Sequence, residues 1–270
     1  MKRFILSVPP GPDGMIRLYE NDFHHLVRVR RLGSGSHFNA VLPDGKETQV
    51  RILSTADNIL IGECLGAAKR AVEGCPIPPI VLFQGLPRGA KMDLIVRQAA
   101  EGGISVIVPF ESEYSAARLR KNQTKSSSAD KVSGEKLKRW ERIIKEARQQ
   151  SGSSVETLIE TPLDFRDLIE YWESLKKKYK SPLGLLLHQE PLEKGTFHEY
   201  LGNSPDFIVL AIGPEGGFSP GEVSLLMETG FRPLLMGSAI LRTETAALYG
   251  AAAIKIILLE RESWMPKPAE

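Results

Sequence analysis

The most informative stretch of this sequence reads FIVLAIGPEGGFSPGE, at residues 207–222. An apolar run that ends in a glycine-dense loop and continues into a helix is typical of a buried strand followed by a ligand-binding turn. Ser219 with Glu222 three residues later matches a capping box, and Pro220 suits the first helical position. A tight turn alone explains one or two glycines, so three of them around Glu215 favour a loop that holds a ligand near free helix N–H groups.

The glycine loop can be compared with the known motifs of nucleotide-binding sites and of hydrolases. The spacing of Gly213, Gly216 and Gly217 does not match G-x-G-x-x-G, and no G-K-[ST] follows, so dinucleotide and P-loop sites are excluded. Residues 217–221 do match the G-x-S-x-G nucleophile elbow of hydrolases. Such a hydrolase needs a histidine after its serine, whereas the last histidine here is His198, and Ser219 is better explained as a helix cap.

A second segment, LLMGSAILRTETAA at residues 234–247, predicts a short strand, a loop of small residues and an Ala-rich helix capped by Thr243 or Thr245. Core packing does not explain Arg242 and Glu244 at the mouth of a buried helix, where unpaired charges are costly. A third loop begins at His188, after an apolar strand. The three strand ends are expected to converge on one pocket.

The chain divides into two regions around the segment GCPIPP at residues 74–79. Residues before it are β-rich, with a hairpin of strands 37–41 and 48–53 around a turn at 43–46 that has Asp-Gly at its centre. Residues after it alternate between strands and helices, which predicts a mainly parallel sheet covered on both faces. Predicted strands occupy residues 80–83, 104–108, 183–187, 207–212 and 234–236, and predicted helices 92–100, 137–147, 219–228 and 245–260. The Ser- and Lys-rich residues 121–133 are expected to form a mobile loop.

Composition favours a globular protein and argues against a zinc site and a membrane-spanning segment. The 270 residues are 42% hydrophobic with a net charge of +2, so a globular fold is expected and a nucleic-acid partner would have to be met by a local patch. Candidate patches are Arg28, Arg30 and Arg31, and residues 116–148, where eleven basic side chains face four acidic ones. Two cysteines without metal-ligand spacing argue against a zinc site, and the absence of a long apolar run predicts a cytoplasmic protein that contacts no membrane.

The motifs resemble those of the bacterial 16S ribosomal RNA uracil N3 methyltransferases, of the SPOUT superfamily. The resemblance rests on GPEGGFS at 213–219 and MGSAILRTETA at 236–246, and it extends through KMDLIVRQA at 91–99, EARQQS at 146–151 and the His-His pair before VRVR at 27–30. It therefore covers nearly the whole chain. It implies an α/β protein with a PUA-like RNA-binding β-barrel at residues 1–74 and a SPOUT methyltransferase domain with a C-terminal trefoil knot at 75–270.

The resemblance also implies S-adenosylmethionine as cofactor, 16S ribosomal RNA or the small ribosomal subunit as partner, a homodimer, and no metal. Carried over by position, the cofactor-binding residues are Leu187, His188, Ile212, Gly213, Pro214, Gly216, Gly217, Met236, Gly237, Ile240, Leu241, Thr243, Thr245 and Ala246. Candidates for RNA contact are Arg28, Arg30, Arg31, Lys91, Arg118 and Arg148.

Two catalytic candidates follow from the chemistry of uridine N3, which carries a proton at neutral pH. Arg242 is expected to stabilise developing negative charge, and Glu215 either removes the proton or orients the glycine loop. The main alternative is a non-catalytic ribosomal RNA-binding protein, against which the intact glycine loop argues. His24 and His25 are expected to be structural, and a role for His188 at the pocket edge stays open.

One departure concerns the RNA surface. The family often carries an arginine in the segment that reads Glu113-Tyr114-Ser115 here, and another in residues 153–156. Both arginines are absent from this chain, so Arg118, Arg120 and Arg148 are candidates to compensate.

Overall fold

The computed structural model describes residues 4–6, 8–43, 46–70, 77–115 and 127–264, with the side chains of residues 67–70, 127–133 and 261–264 excepted. It separates into two compact units. The first comprises residues 1–74 together with 148–156, and the second comprises residues 75–147 and 157–270. The domain-boundary prediction at residue 74 falls in a stretch, 71–76, that lies outside the described residues.

The first unit is a five-stranded sheet in the order β1-β3-β4-β5-β2. Its strands are β1 Phe4–Ile5, β2 Met15–Leu18, β3 His37–Val41, β4 Lys46–Ser54 and β5 Leu60–Arg70, with a short helix α1 at Glu20–Phe23 and a π-helix at His24–Val29. β1 pairs parallel to β3, and the remaining pairs are antiparallel. The predicted hairpin is therefore present as β3 and β4, although Asp44 and Gly45 at its turn lie outside the described residues. Alternate strand residues, such as Phe38, Val50 and Ile52, fill its core.

The second unit contains a seven-stranded sheet in which every pair is parallel. Its strands are β6 Ile80–Gly85, β7 Val106–Glu111, β8 Leu158–Ile159, β9 Leu163–Asp164, β10 Pro182–Leu187, β11 Phe207–Ile212 and β12 Phe231–Leu234. The order is β12-β10-β11-β6-β7-β8, with β9 also paired to β7. Its helices are α2 Lys91–Gly102, α3 Ser127–Ser151, α4 Phe165–Lys178, α5 Phe197–Gly202, α6 Pro220–Glu228 and α7 Thr243–Trp264.

Both faces of this sheet are buried, as the alternation of elements predicted. Ile80 and Leu82 of β6 belong to one apolar cluster and Val81 and Phe83 to the other, because successive side chains point to opposite faces. The first cluster includes residues of α2, α3, α5 and α7, and the second includes residues of α4 and α6. The sheet is thus the middle layer of a three-layer unit.

The largest differences in strand bounds concern β7 and β12. β7 begins at Val106 because Gly103, at φ 72°, and Ile104 form the C-terminal cap of α2, with the Ile104 N–H donating to the Ala99 carbonyl at 2.9 Å. β12 ends at Leu234, so the prediction of a strand at residues 234–236 is wrong for its last two residues. The strand instead includes Pro233, which it tolerates because β12 pairs only with β10 within the described sheet.

Further differences concern the helices, and the short α5 is not among the predicted ones. α3 begins at Ser127, so the expected mobile loop is wrong for residues 127–133, and residues 121–126 lie outside the described residues. α4 was not predicted, although Leu168, Ile169 and Trp172 have helical spacing. Its start is capped by Asp164, whose carboxylate accepts the Asp167 N–H at 2.8 Å.

Candidate functional site

The second unit contains a cavity of about 590 Å³ where β10, β11 and β12 end. The loops that follow these three strands form its walls, as expected for a ligand site in an open parallel sheet. Every candidate cofactor-binding residue except Thr245 lines the cavity, and so do both catalytic candidates. The cavity is also lined by Gln189, Phe218, Leu235 and Ala239, which are not among the candidate residues, and by Lys91, which is predicted from the sequence to contact RNA instead.

The glycine loop after β11 is shaped by two of its glycines. Gly217 has φ 71°, a region that side chains with a Cβ rarely adopt, and its N–H donates to the Pro214 carbonyl at 2.9 Å. A Cβ on Gly213 would lie 2.9 Å from the Gly217 carbonyl carbon. The loop is therefore folded back on itself, and its main-chain groups border the cavity directly.

A buried hydrogen-bonded junction fixes this loop to two other elements. The Gln84 side-chain amide, at the end of β6, donates to the Gly85 carbonyl and to the Thr243 hydroxyl, each at 2.9 Å. The Thr243 hydroxyl in turn donates to the Gly213 carbonyl at 2.6 Å. Both side chains are buried, so water does not compete for these bonds. The end of β6, the glycine loop and the start of α7 are thereby held together.

This junction corrects the prediction that Thr243 or Thr245 caps α7. The helix begins at Thr243, and the Arg242 carbonyl accepts the Ala246 N–H at 2.8 Å, which places Arg242 at the N-cap position. The Thr243 hydroxyl is engaged by Gln84 and Gly213 instead. The capping box predicted for α6 is confirmed, since Ser219 Oγ accepts the Glu222 N–H at 3.3 Å and the Ser219 N–H donates to Glu222 at 2.9 Å.

The Glu215 carboxylate is held by groups from the start of α2. Lys91 Nζ lies 2.6 Å from Glu215 Oε1, and the Arg88 N–H donates to the two carboxylate oxygens at 3.0 and 3.3 Å. Burial raises the pKa of Glu215, but hydrogen bonds from Lys91 and from the Glu215 and Arg88 main-chain N–H groups outweigh burial and hold that pKa below its usual value. An ionised, fully engaged carboxylate is a weak base. The geometry favours orientation of the glycine loop, the second of the two roles considered for Glu215.

Arg242 and His188 occupy different parts of the cavity wall. The Arg242 side chain is exposed at the cavity and makes no hydrogen bond or ion pair with the described residues. His188 follows β10, and its Nδ1 accepts the Glu190 N–H at 3.1 Å. Arg242 is thus a free cation facing the cavity, whereas the His188 ring is held by its own loop.

The candidate RNA-contacting arginines of the first unit lie in the π-helix at His24–Val29 and directly after it. Arg28 and Arg31 are exposed and Arg30 is partly buried, while His25 packs on the Phe4 ring with centroids 5.7 Å apart. The structural role expected for His25 fits this packing.

The remaining candidates for RNA contact are Lys91, Arg118 and Arg148, and the two that the structure describes have different surroundings. Lys91 belongs to the cavity and to the ion pair with Glu215. Arg148 is partly buried, and burial lowers the pKa of its guanidinium. Arg118 lies outside the described residues, as does Arg120.

Among the described residues, no group of three or more His, Cys, Asp or Glu side chains could hold a metal ion. Within the same residues, no helix is both long and apolar enough to cross a membrane.

A parallel α/β unit with a glycine-rich loop beside a cavity, preceded in the chain by a five-stranded β unit, defines a two-unit α/β protein with a candidate ligand site. Residues 74–255 match the family model described as an RNA methyltransferase domain, and residues 18–63 match an RNA methyltransferase PUA domain. The chain belongs to this RNA methyltransferase family. The predicted fold class is confirmed as an α/β protein in which a PUA-like β-sheet unit is followed by an RNA methyltransferase domain.

Named relatives are similar over most of their length. A protein of Synechocystis named ribosomal RNA small subunit methyltransferase E is 30% identical over 260 residues, which cover 95% of this chain and 78% of the relative. The protein of that name from Bacillus subtilis is 27% identical over 239 residues, 86% of each chain. The crystal structure of the Neisseria gonorrhoeae protein of that name, bound to S-adenosylmethionine, matches with a TM-score of 0.75 and 25% identity, covering 95% of this chain and 98% of that one.

The close contact between Gly85 of β6 and Pro214 of the glycine loop predicts the effect of adding a methyl group at Gly85. A Cβ there would lie 2.5 Å from both the ring and the nitrogen of Pro214, so Gly85→Ala must push the glycine loop away from β6. We expect a loss of about 1–3 kcal/mol in the free energy of unfolding, measured by urea denaturation.

The matched control is Gly102→Ala at the end of α2, where a Cβ meets nothing within 4 Å. This variant should be neutral or more stable by up to about 1 kcal/mol, because alanine favours a helix over glycine. Equal stability of the two variants would contradict the close packing of Gly85 on Pro214.

Proposed function

We propose that this protein transfers the methyl group of S-adenosylmethionine to N3 of a uridine in 16S ribosomal RNA, with the RNA alone or the small ribosomal subunit as partner. The observation that supports this most is the cavity at the ends of β10, β11 and β12, which gathers the two sequence motifs that resemble those of the uracil N3 methyltransferases. The N3 position and the 16S RNA come from that resemblance. The names of the relatives support ribosomal RNA of the small subunit.

The chemistry of the cavity wall fits the cofactor. Gly216, Gly217 and Gly237 present main chain rather than side chains, which suits hydrogen bonding to the adenine and ribose. Leu187, Ile212 and the other apolar lining residues suit the flat adenine faces. When bound, S-adenosylmethionine supplies an activated methyl group on a positively charged sulfur.

Arg242 is proposed as the catalytic cation. Uracil N3 becomes a nucleophile only when its proton is lost, and the negative charge then spreads to the neighbouring carbonyl oxygens. A guanidinium is positively charged and donates hydrogen bonds in a fixed plane, so Arg242 at these oxygens stabilises the anion and favours release of the N3 proton to water.

Glu215 and Lys91 act by position. Their ion pair ties the glycine loop to the start of α2, and Arg88 adds main-chain hydrogen bonds to the same carboxylate. Because transfer requires the nucleophile, the methyl carbon and the leaving sulfur to be in line, a loop with fixed coordinates contributes directly to the rate.

The RNA must present its uracil unpaired or flipped, since a duplex buries N3 in the base pair. We propose that residues 1–74 form the RNA-binding domain and residues 75–270 the knotted methyltransferase domain, with Arg28 and Arg31 contacting phosphates. We also propose that the protein is a homodimer and acts in the cytoplasm. The dimer is supported by exposed apolar side chains on α7, namely Leu248, Tyr249, Ile256 and Leu259.

The proposal is tested by the thermal unfolding midpoint with S-adenosylhomocysteine, the demethylated product of the cofactor. At about 100 times its dissociation constant the ligand should add roughly 2.7 kcal/mol, a rise of about 5 to 10 °C. Adenosine and NAD at the same concentration are the controls. Equal shifts with all three, or none, would favour the non-catalytic RNA-binding alternative.

Arg242→Ala separates binding from chemistry. We expect kcat for methyl transfer to small subunits from cells lacking the enzyme to fall about 100- to 1,000-fold, with the affinity for S-adenosylhomocysteine unchanged. The residual rate should rise with pH, because a higher pH removes the N3 proton without help from the guanidinium.

The control for Arg242→Ala is Arg232→Ala on β12, which removes an exposed cation paired with Glu193 at 3.7 Å. It should keep the wild-type kcat. A wild-type kcat in Arg242→Ala would remove the assigned role of this residue.

A further inference from the structure

An exposed aromatic side chain, Tyr114, stands beside the glycine loop. It follows β7, and 47% of its surface is exposed. A Cβ on Gly216 would lie only 2.8 Å from Tyr114 Cβ and 3.5 Å from Tyr114 Cγ. Gly216 lines the cavity, and Tyr114 packs against this glycine without itself being a lining residue, so the tyrosine adjoins the loop that forms the cavity wall.

The backbone that carries Tyr114 is fixed on both sides. Ser112 Oγ and the Glu113 N–H donate to the Glu222 carboxylate, each at 2.8 Å. The Ser115 N–H donates to the Ser112 carbonyl at 2.9 Å, and the Ser112 N–H donates to Ser115 Oγ at 3.0 Å. The same Glu222 carboxylate accepts the Ser219 N–H, so the segment that carries Tyr114 and the glycine loop share one buried anchor.

The exposed Tyr114 ring on this fixed backbone is suited to contact a nucleobase, since it does not pack into the protein core. Ser112, Ser115 and Glu222 are nearly fully buried, yet the tyrosine between them remains in solvent. Exposed aromatic rings on a fixed backbone stack on unpaired bases.

We propose that Tyr114 stacks on the target uracil once the base has left its helix, and so holds it at the cavity mouth. The inference rests on the proposed function. A flipped base loses its stacking neighbours, and an aromatic ring on a rigid backbone replaces one of them at little entropic cost. Tyr114 is then an RNA-binding residue of the active site.

The test compares Tyr114→Ala, Tyr114→Phe and the wild type in methyl transfer to small ribosomal subunits from cells lacking the enzyme. Removing the ring should raise KM for the subunit roughly 5- to 100-fold, while phenylalanine keeps the wild-type value because it stacks equally well. The dissociation constant of S-adenosylhomocysteine, measured by calorimetry, should be the same in all three proteins. Leu225→Ala on α6 is the control for loss of an exposed apolar side chain, 38% exposed, and should match the wild type.

Two results would overturn the assignment: a wild-type KM in Tyr114→Ala, or weaker S-adenosylhomocysteine binding in that variant, which would show that the ring shapes the cofactor loop instead. A wild-type enzyme that methylates no subunit would refute the proposed function itself. In that event filter binding of 16S ribosomal RNA with S-adenosylhomocysteine present still tests the ring, since stacking predicts weaker binding by Tyr114→Ala and an unchanged affinity contradicts it.

Discussion

The site depends on the hydrogen bond from the Thr243 hydroxyl to the Gly213 carbonyl, supported from behind by the Gln84 amide. The three residues belong to segments that are far apart in the chain, namely the end of β6, the loop after β11 and the start of α7. Because the bonds are buried, breaking any one leaves a polar group without water, which typically costs about 1–3 kcal/mol. The junction therefore fixes the position of the glycine loop relative to the sheet, and with it the part of the cavity wall that this loop forms.

Two further anchors complete the loop. The Lys91–Glu215 pair holds its tip to α2, and the Glu222 carboxylate holds its end to the segment that carries Tyr114. The glycine loop is thus held by interactions within the protein, which is the condition under which positioning and charge stabilisation accelerate a transfer reaction. Arg242 differs from these anchors, since it has no partner among the described residues and faces the cavity. Its freedom suits a residue that acts on the substrate.

Much of the candidate site could be predicted from the sequence because it is formed by residues that are close together in the chain. The glycine loop after an apolar strand and the Ser219–Glu222 capping box are consecutive in the chain, and the ends of parallel strands meet at one edge of the sheet. The junction could not be predicted, since a lone Gln84 at the end of an apolar strand carries no local signal of its distant partner. For the same reason Thr243 was assigned to a helix cap, the role that a threonine at a helix start usually has.

The most direct test of the central claim is the identity of the methylated nucleoside. Small ribosomal subunits from cells lacking the enzyme are incubated with the protein and S-adenosylmethionine that carries a deuterated methyl group, and the 16S ribosomal RNA is digested and analysed by mass spectrometry. We expect deuterated 3-methyluridine from one site in the RNA, absent when the protein is omitted. Label on another nucleoside, or on another position of uridine, would contradict the claim.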